Sequence, residues 1–170
     1  MVNGEIVKAE TQGLIVYEKP KEVIKRASEW ATVLMKVVNA QGLFNEIGDK
    51  KYLRVEAWQT IGRFDRVTPR TEWVKLDERG AHARVALVRD GLMVGAAESY
   101  CGYDESVCKG KIGGAKQNAA ESMAQTRATS KAFRMSYSFV AVLAGYEATP
   151  AEELPQAAST ENKEPEKSDH

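Results

Sequence analysis

Apolar residues at Val23, Ile24, Ala27, Trp30, Ala31, Leu34, Val37 and Val38 recur with the three-and-four spacing of an amphipathic helix. Pro20 stands where a first helical residue needs no N–H, and 39–42 ends the run. Gly48 and Asp49 form a short loop before Tyr52 and Leu53, which read as a brief extended segment. Helical spacing returns over 55–64, with Val55, Trp58, Ile61 and Gly62 toward the core, and Pro69 closes the connection. From Arg70 the period changes to two. Thr71, Trp73, Lys75 and Asp77 oppose Glu72, Val74 and Leu76 in a first strand, and 78–80 makes a turn. A second strand spans 81–89, with Ala83, Val85 and Leu87 on one face, and a third spans 92–103. Between them Asp90-Gly91 is a strong hairpin signal, because a type I′ turn needs positive φ at both central positions. A basic, glycine-containing loop over 109–114 leads into a long helix over 115–145, which Gly145 and Pro150 bring to an end.

The pattern therefore predicts an α+β fold. Two helices precede a three-stranded antiparallel meander packed against a long helix, in the order β-β-β-α, a sound two-layer solution. A chain of 170 residues is long enough for one domain with a real core. Beyond Pro150 the Glu, Pro, Ser and Lys content predicts disorder, so the domain is expected to span 1–148 and an acidic tail 149–170.

Composition adds an asymmetry. Lys plus Arg and Asp plus Glu both number 24, so the net charge is zero. From Thr149 onward, however, Glu152, Glu153, Glu161, Glu164, Glu166 and Asp169 face only Lys163 and Lys167, which is 6 − 2 = 4 units negative. The body is then 4 units positive by difference. No apolar run approaches the roughly 20 residues of a membrane span, and the first residues lack the apolar core of a secretory signal. These features predict a cytoplasmic protein, near the nucleoid or in an infected host cell, with Cys101 and Cys108 reduced.

The body's charge concentrates on the long helix. Arg127, Lys131 and Arg134 sit at i, i+4 and i+7 and so share one helix face. Small residues surround them, among them Ala120, Ala124, Ala128, Ser130 and Ala132. That combination would let a phosphodiester backbone approach closely, and it is equally compatible with a solvated charged face.

Three pieces in this order resemble the Rad-fifty-two-type single-strand annealing proteins. They are Gly48 to Leu53 before a helix ending Arg63-Phe64, the meander with its Asp-Gly hairpin, and Lys131-Ala132-Phe133-Arg134 on the long helix. The resemblance covers roughly 48–145. Residues 122–134, with Leu143 to Glu147 and Thr149-Pro150, also look like proteins of phage and mobile-element recombination modules. Lys131 and Arg134 carry over directly. Ser130 stands where that family usually has the first of two adjacent basic residues, Arg127 adds a charge one turn earlier, and Arg54 lies near the family's basic entry residue. The resemblance implies single-stranded DNA in a basic groove, annealing of complementary strands without nucleotide or other cofactor, and a homo-oligomeric ring or arc.

Further candidates for DNA contact are Lys109, Lys111 and Lys116 at the start of the long helix, and Arg54, Arg63 and Arg66 near Tyr52 and Phe64. Each also reads as a solvated surface charge. The 109–116 segment lacks the order of a P-loop. Trp30, Trp58 and Trp73 read as core anchors, and Tyr100 and Tyr103 as packing or stacking residues. Two histidines, His82 and His170, and two cysteines seven residues apart offer no nucleophile or zinc pattern, so the expectation is a protein that is not an enzyme. Glu98, Asp104, Glu105 and Glu121 could gather around magnesium, but solvated carboxylates explain them as well. Apart from annealing, the open readings are a single-strand-protecting protein and an oligomeric interaction module. The acidic tail would compete for the groove or recruit a recombination or replication partner.

Overall fold

The structure, a computed structural model, describes residues 18–154. Helix α1 (Pro20–Gln41) leads to a hairpin of β1 (Phe44–Ile47) and β2 (Lys50–Leu53), then to α2 (Val55–Phe64). The meander β3 (Thr68–Leu76), β4 (Gly80–Arg89) and β5 (Leu92–Gly102) follows, and the 31-residue α3 (Gly113–Leu143) runs across it. Single 3₁₀ turns occupy Ser106–Cys108 and Ala151–Glu153. The fold is α+β, with the sheet β3-β4-β5 antiparallel throughout and α3 packed on it. Asp90 and Gly91 take φ of 51° and 80°, the two positive values that a type I′ turn demands.

α3 spans two apolar clusters. Its first half lays Ala120, Ala124 and Ala128 against Ala81, Ala83, Val85 and Cys101 of the sheet. The spacing i, i+4, i+8 puts these alanines in one row, and methyl-sized side chains let helix and sheet approach closely. This corrects the reading of the small residues as room for a ligand. Ala120, Ala124, Ala128, Ser130 and Ala132 are all buried within the protein. The second half packs Phe133, Tyr137 and Val140 with Leu34, Val38, Leu53, Trp58 and Ile61. Trp58 is fully buried, and its indole N–H donates to Leu53 O at 3.2 Å.

Several details depart from expectation. The segment before α2 is a full hairpin rather than a brief extended stretch, with Ile47 opposite Lys50 across a two-residue turn. β3 begins at Thr68 and contains Pro69, which as an edge strand it tolerates. Trp73 is paired with Arg84 on the sheet face opposite α3, where the Lys75 ammonium lies 4.8 Å from its ring centroid, so it anchors no core. The boundary expected after residue 148 falls too early. Pro150 and Ala151 are buried, and 151–153 form a turn packed on α3. Residues 155–170 lie outside the described residues, as does the expectation of disorder there.

Candidate nucleic-acid interface

Eighteen residues of helix are about five turns, so Lys116 and Arg134 fall on one meridian of α3 about 27 Å apart. Arg127 and Lys131 lie between them, within about 60° of that line. The sequence thus builds a cationic row along the helix, and the tertiary structure decides which members remain available.

Arg127 does not. Its Nη1 donates to Glu105 Oε1 at 2.9 Å and to Tyr100 O at 3.0 Å, Nη2 to Glu105 Oε2 at 2.5 Å, and Nε to Glu152 O at 3.0 Å. Its side chain is 13% exposed. Four of the five guanidinium N–H groups are engaged within the protein, so Arg127 is committed to the fold, which leaves little of it for the DNA contact expected from the sequence. The hydrogen bonds from Arg127, reinforced by the Gly102 amide, hold the Glu105 carboxyl below the usual carboxylate range.

Lys131 and Arg134 are held more loosely. Lys131 Nζ reaches Glu98 O at 3.3 Å, and Arg134 Nη2 lies 3.4 Å from Glu153 Oε2 with 32% of its side chain exposed. Lys116 extends over the ring of Tyr103, 5.5 Å from its centroid. Lys109 is exposed, and Lys111 donates to Val107 O at 2.8 Å. Arg54 precedes α2 and donates to Asn45 Oδ1 at 2.7 Å. Arg63 and Arg66 project at the opposite end of α2, and Arg66 pairs with Asp90 at the hairpin tip. The expected residues therefore form three groups. Lys109, Lys111 and Lys116 sit at the start of α3, Lys131 and Arg134 lie beside the C-terminal turn with Arg54 next to its contact at Val55, and Arg63 and Arg66 lie at the end of α2, where Arg66 reaches the β4–β5 turn.

The C-terminal turn supplies what the sequence did not announce. Glu152 Oε1 accepts the Val55 amide at 2.7 Å, at the start of α2, and Oε2 accepts the Ser130 hydroxyl at 2.9 Å. Burial pushes the Glu152 carboxyl upward despite these bonds. Beside this turn opens a cleft of about 470 Å³, lined by Ser99, Tyr100, Arg127, Lys131, Glu153 and Leu154. Glu105, Ser130 and Glu152 lie 22 or more residues from at least one partner and Glu153 lies 19 from Arg134, so no local spacing pointed to them.

Elsewhere, Cys101 and Cys108 are buried free thiols, and burial pushes Cys101 up to about 12. Among the described residues no group of three or more His, Cys, Asp or Glu side chains is placed to hold a metal ion, so the four carboxylates considered for magnesium do not gather. Among the same residues no helix is long and apolar enough to cross a membrane. No protein-family model, curated protein or solved structure matches the chain.

Proposed function

We propose that this protein binds single-stranded DNA along the cationic face of α3 and promotes pairing of complementary strands, without nucleotide and without catalysing a covalent step. The observation that carries the reading is the row Lys116, Lys131 and Arg134 on one side of a helix held rigid by two apolar clusters. Charges fixed along about 27 Å of helix match a flexible polyanion better than a compact anion. Gripping backbone while leaving base edges exposed would let a second strand pair, with base pairing itself supplying the driving force.

Self-association into a ring or arc belongs to the same proposal. α3 exposes Met135, Phe139 and Val142 at i, i+4 and i+7, with exposures of 67%, 41% and 57%, an apolar stripe left largely open by the described residues. The cytoplasmic location and the recruitment of a partner through the acidic tail are likewise part of this reading.

Replacing Lys131 and Arg134 together with alanine is expected to weaken binding of a fluorescent oligothymidylate about tenfold at moderate salt. The slope of log affinity against log salt should flatten by about 1.4, since each single-strand phosphate contact contributes roughly 0.7. Both effects are read by anisotropy across a salt titration. An unchanged slope would remove this face as the DNA site. Mixing complementary labelled oligonucleotides without ATP then separates annealing from mere protection, because a protecting protein slows pairing and an annealer speeds it.

A further inference from the structure

The turn at the C-terminal end of the described chain places its carboxylates on the face just assigned to DNA. Glu152 spends both oxygens there, one on the Val55 amide and one on Ser130, while its backbone carbonyl takes Arg127 Nε. Glu153 takes Arg134. A phosphodiester offers the same pair of anionic oxygens, with the same demand for an N–H, a hydroxyl and a guanidinium.

The docking of this turn is also poorly compensated. Glu153 Oε1 is buried with no hydrogen-bond partner among the described residues, and burial raises the carboxyl of the half-buried Glu152. A buried carboxylate oxygen without a donor costs free energy that an optimised structural latch would avoid. The chain just before it is anchored independently. The Glu147 amide donates to Lys51 O at 2.9 Å, Glu147 pairs with Lys50 at 3.6 Å, and Tyr146 is buried in the main cluster. Ala148 is exposed and Thr149 half-buried, so rotation at these two residues would lift 150–154 without disturbing Tyr146 or Glu147.

We propose that Pro150–Leu154 is an autoinhibitory strap. Its two carboxylates occupy the phosphate positions beside Ser130 and Arg134, and single-stranded DNA displaces it to reach them. The strap rests on the reading of α3 as the DNA face, and it adds a regulatory step, since whatever draws the acidic C-terminal chain away would raise affinity.

The test compares the full chain with its Glu152→Gln/Glu153→Gln variant. Glutamine retains an oxygen for the Val55 amide and removes the cost of the buried charges, so the variant is expected to melt at or above the parent's midpoint; if it does not fold, Glu153→Gln alone serves. Oligothymidylate should bind the variant about tenfold more tightly, as expected from removing two competing charges. Hydrogen exchange at the amides of Val55, Glu153 and Leu154 in the parent chain should speed up when oligothymidylate or long-chain inorganic polyphosphate is added. If oligothymidylate binds but these amides keep their protection, and the variant binds no tighter, the strap is wrong and the DNA reading survives. If polyphosphate speeds exchange and oligothymidylate neither binds nor does so, the strap stands as a gate for another polyanion and the DNA reading fails. Binding of neither polyanion to either protein overturns both.

Discussion

Arg127→Ala is expected to cost about 3 kcal/mol of folding stability, by the measure of removing one partner from a buried ion pair. The loss comes less from the missing bonds than from what is left behind. Glu105 is 26% exposed and keeps the Gly102 amide and the weak Cys101 thiol in place of a guanidinium, while Tyr100 O and Glu152 O lose their donor. Arg127→Lys should recover only part of the loss, because an ammonium cannot serve both Glu105 oxygens and two carbonyls from one position. Adding Glu105→Ala to Arg127→Ala should restore some stability by removing the stranded carboxylate. Urea unfolding followed by tryptophan fluorescence reads all three. A midpoint unchanged in Arg127→Ala, together with lost DNA affinity, would return Arg127 to the set of ligand residues.

The same cluster fixes how stability responds to acid. Glu105 is held below the ordinary carboxylate range, so its contribution is present at neutral pH and disappears as pH falls through that lowered value. Glu152 has the opposite sign. Its carboxyl is raised, so the folded chain bears a cost above that raised value and is relieved of it as pH falls below. The parent protein should therefore gain stability on mild acidification before losing it under stronger acid. Glu152→Gln should abolish the gain, and Arg127→Ala should blunt the later loss.

Much of the fold was legible because its elements carry unambiguous periods. Alternation over Ala81–Leu87 and the Asp90-Gly91 turn specify a hairpin locally, and each neighbour in the meander follows by the shortest connection. The β1–β2 hairpin was not legible in the same way. Its strands are four residues each, and neither carries a clean buried face. The available signal was Gly48 followed by Asp49, a two-residue loop whose first residue takes φ of 64°. Trp73 was misplaced because a two-residue period shows that faces alternate, not which one meets the helix.

The site was legible only as far as helix geometry reaches. Spacing alone puts Arg127, Lys131 and Arg134 on one face, and the structure keeps them there. Spacing cannot say that Glu105, on the loop after β5, closes on Arg127 from one side while the Glu152 carbonyl closes from the other and Glu153 takes Arg134. Those partners come from tertiary packing across 19 to 25 residues of sequence. The small residues show the same limit, since a row of alanines is what both a tightly packed sheet and a close-approaching ligand require. Here the sheet takes the row, and the cations project beside it.

Gly62→Ala tests the packing that positions this face. Gly62 is buried in α2, directly beneath the ring of Phe133, the residue before Arg134. A Cβ at Gly62 would overlap Phe133 Cε1 and lie 2.9 Å from Cζ and 3.0 Å from Cδ1, well inside van der Waals contact. Phe133 is fully buried, so its ring cannot swing clear without displacing neighbours in a close-packed interior. Overpacking of this kind costs about 3 kcal/mol, against which alanine's better helix propensity returns about 1 kcal/mol, leaving a net loss of about 2 kcal/mol. Phe133→Leu in the same chain should recover part of it, because the smaller side chain vacates the ring edge, with a coupling of about 1 kcal/mol between the two positions. Thermal melts of the two single variants and the double variant measure that coupling. If Gly62→Ala melts at or above the parent temperature, α2 and α3 are not in the contact described, and the rigid seating of Lys131 and Arg134 loses its basis.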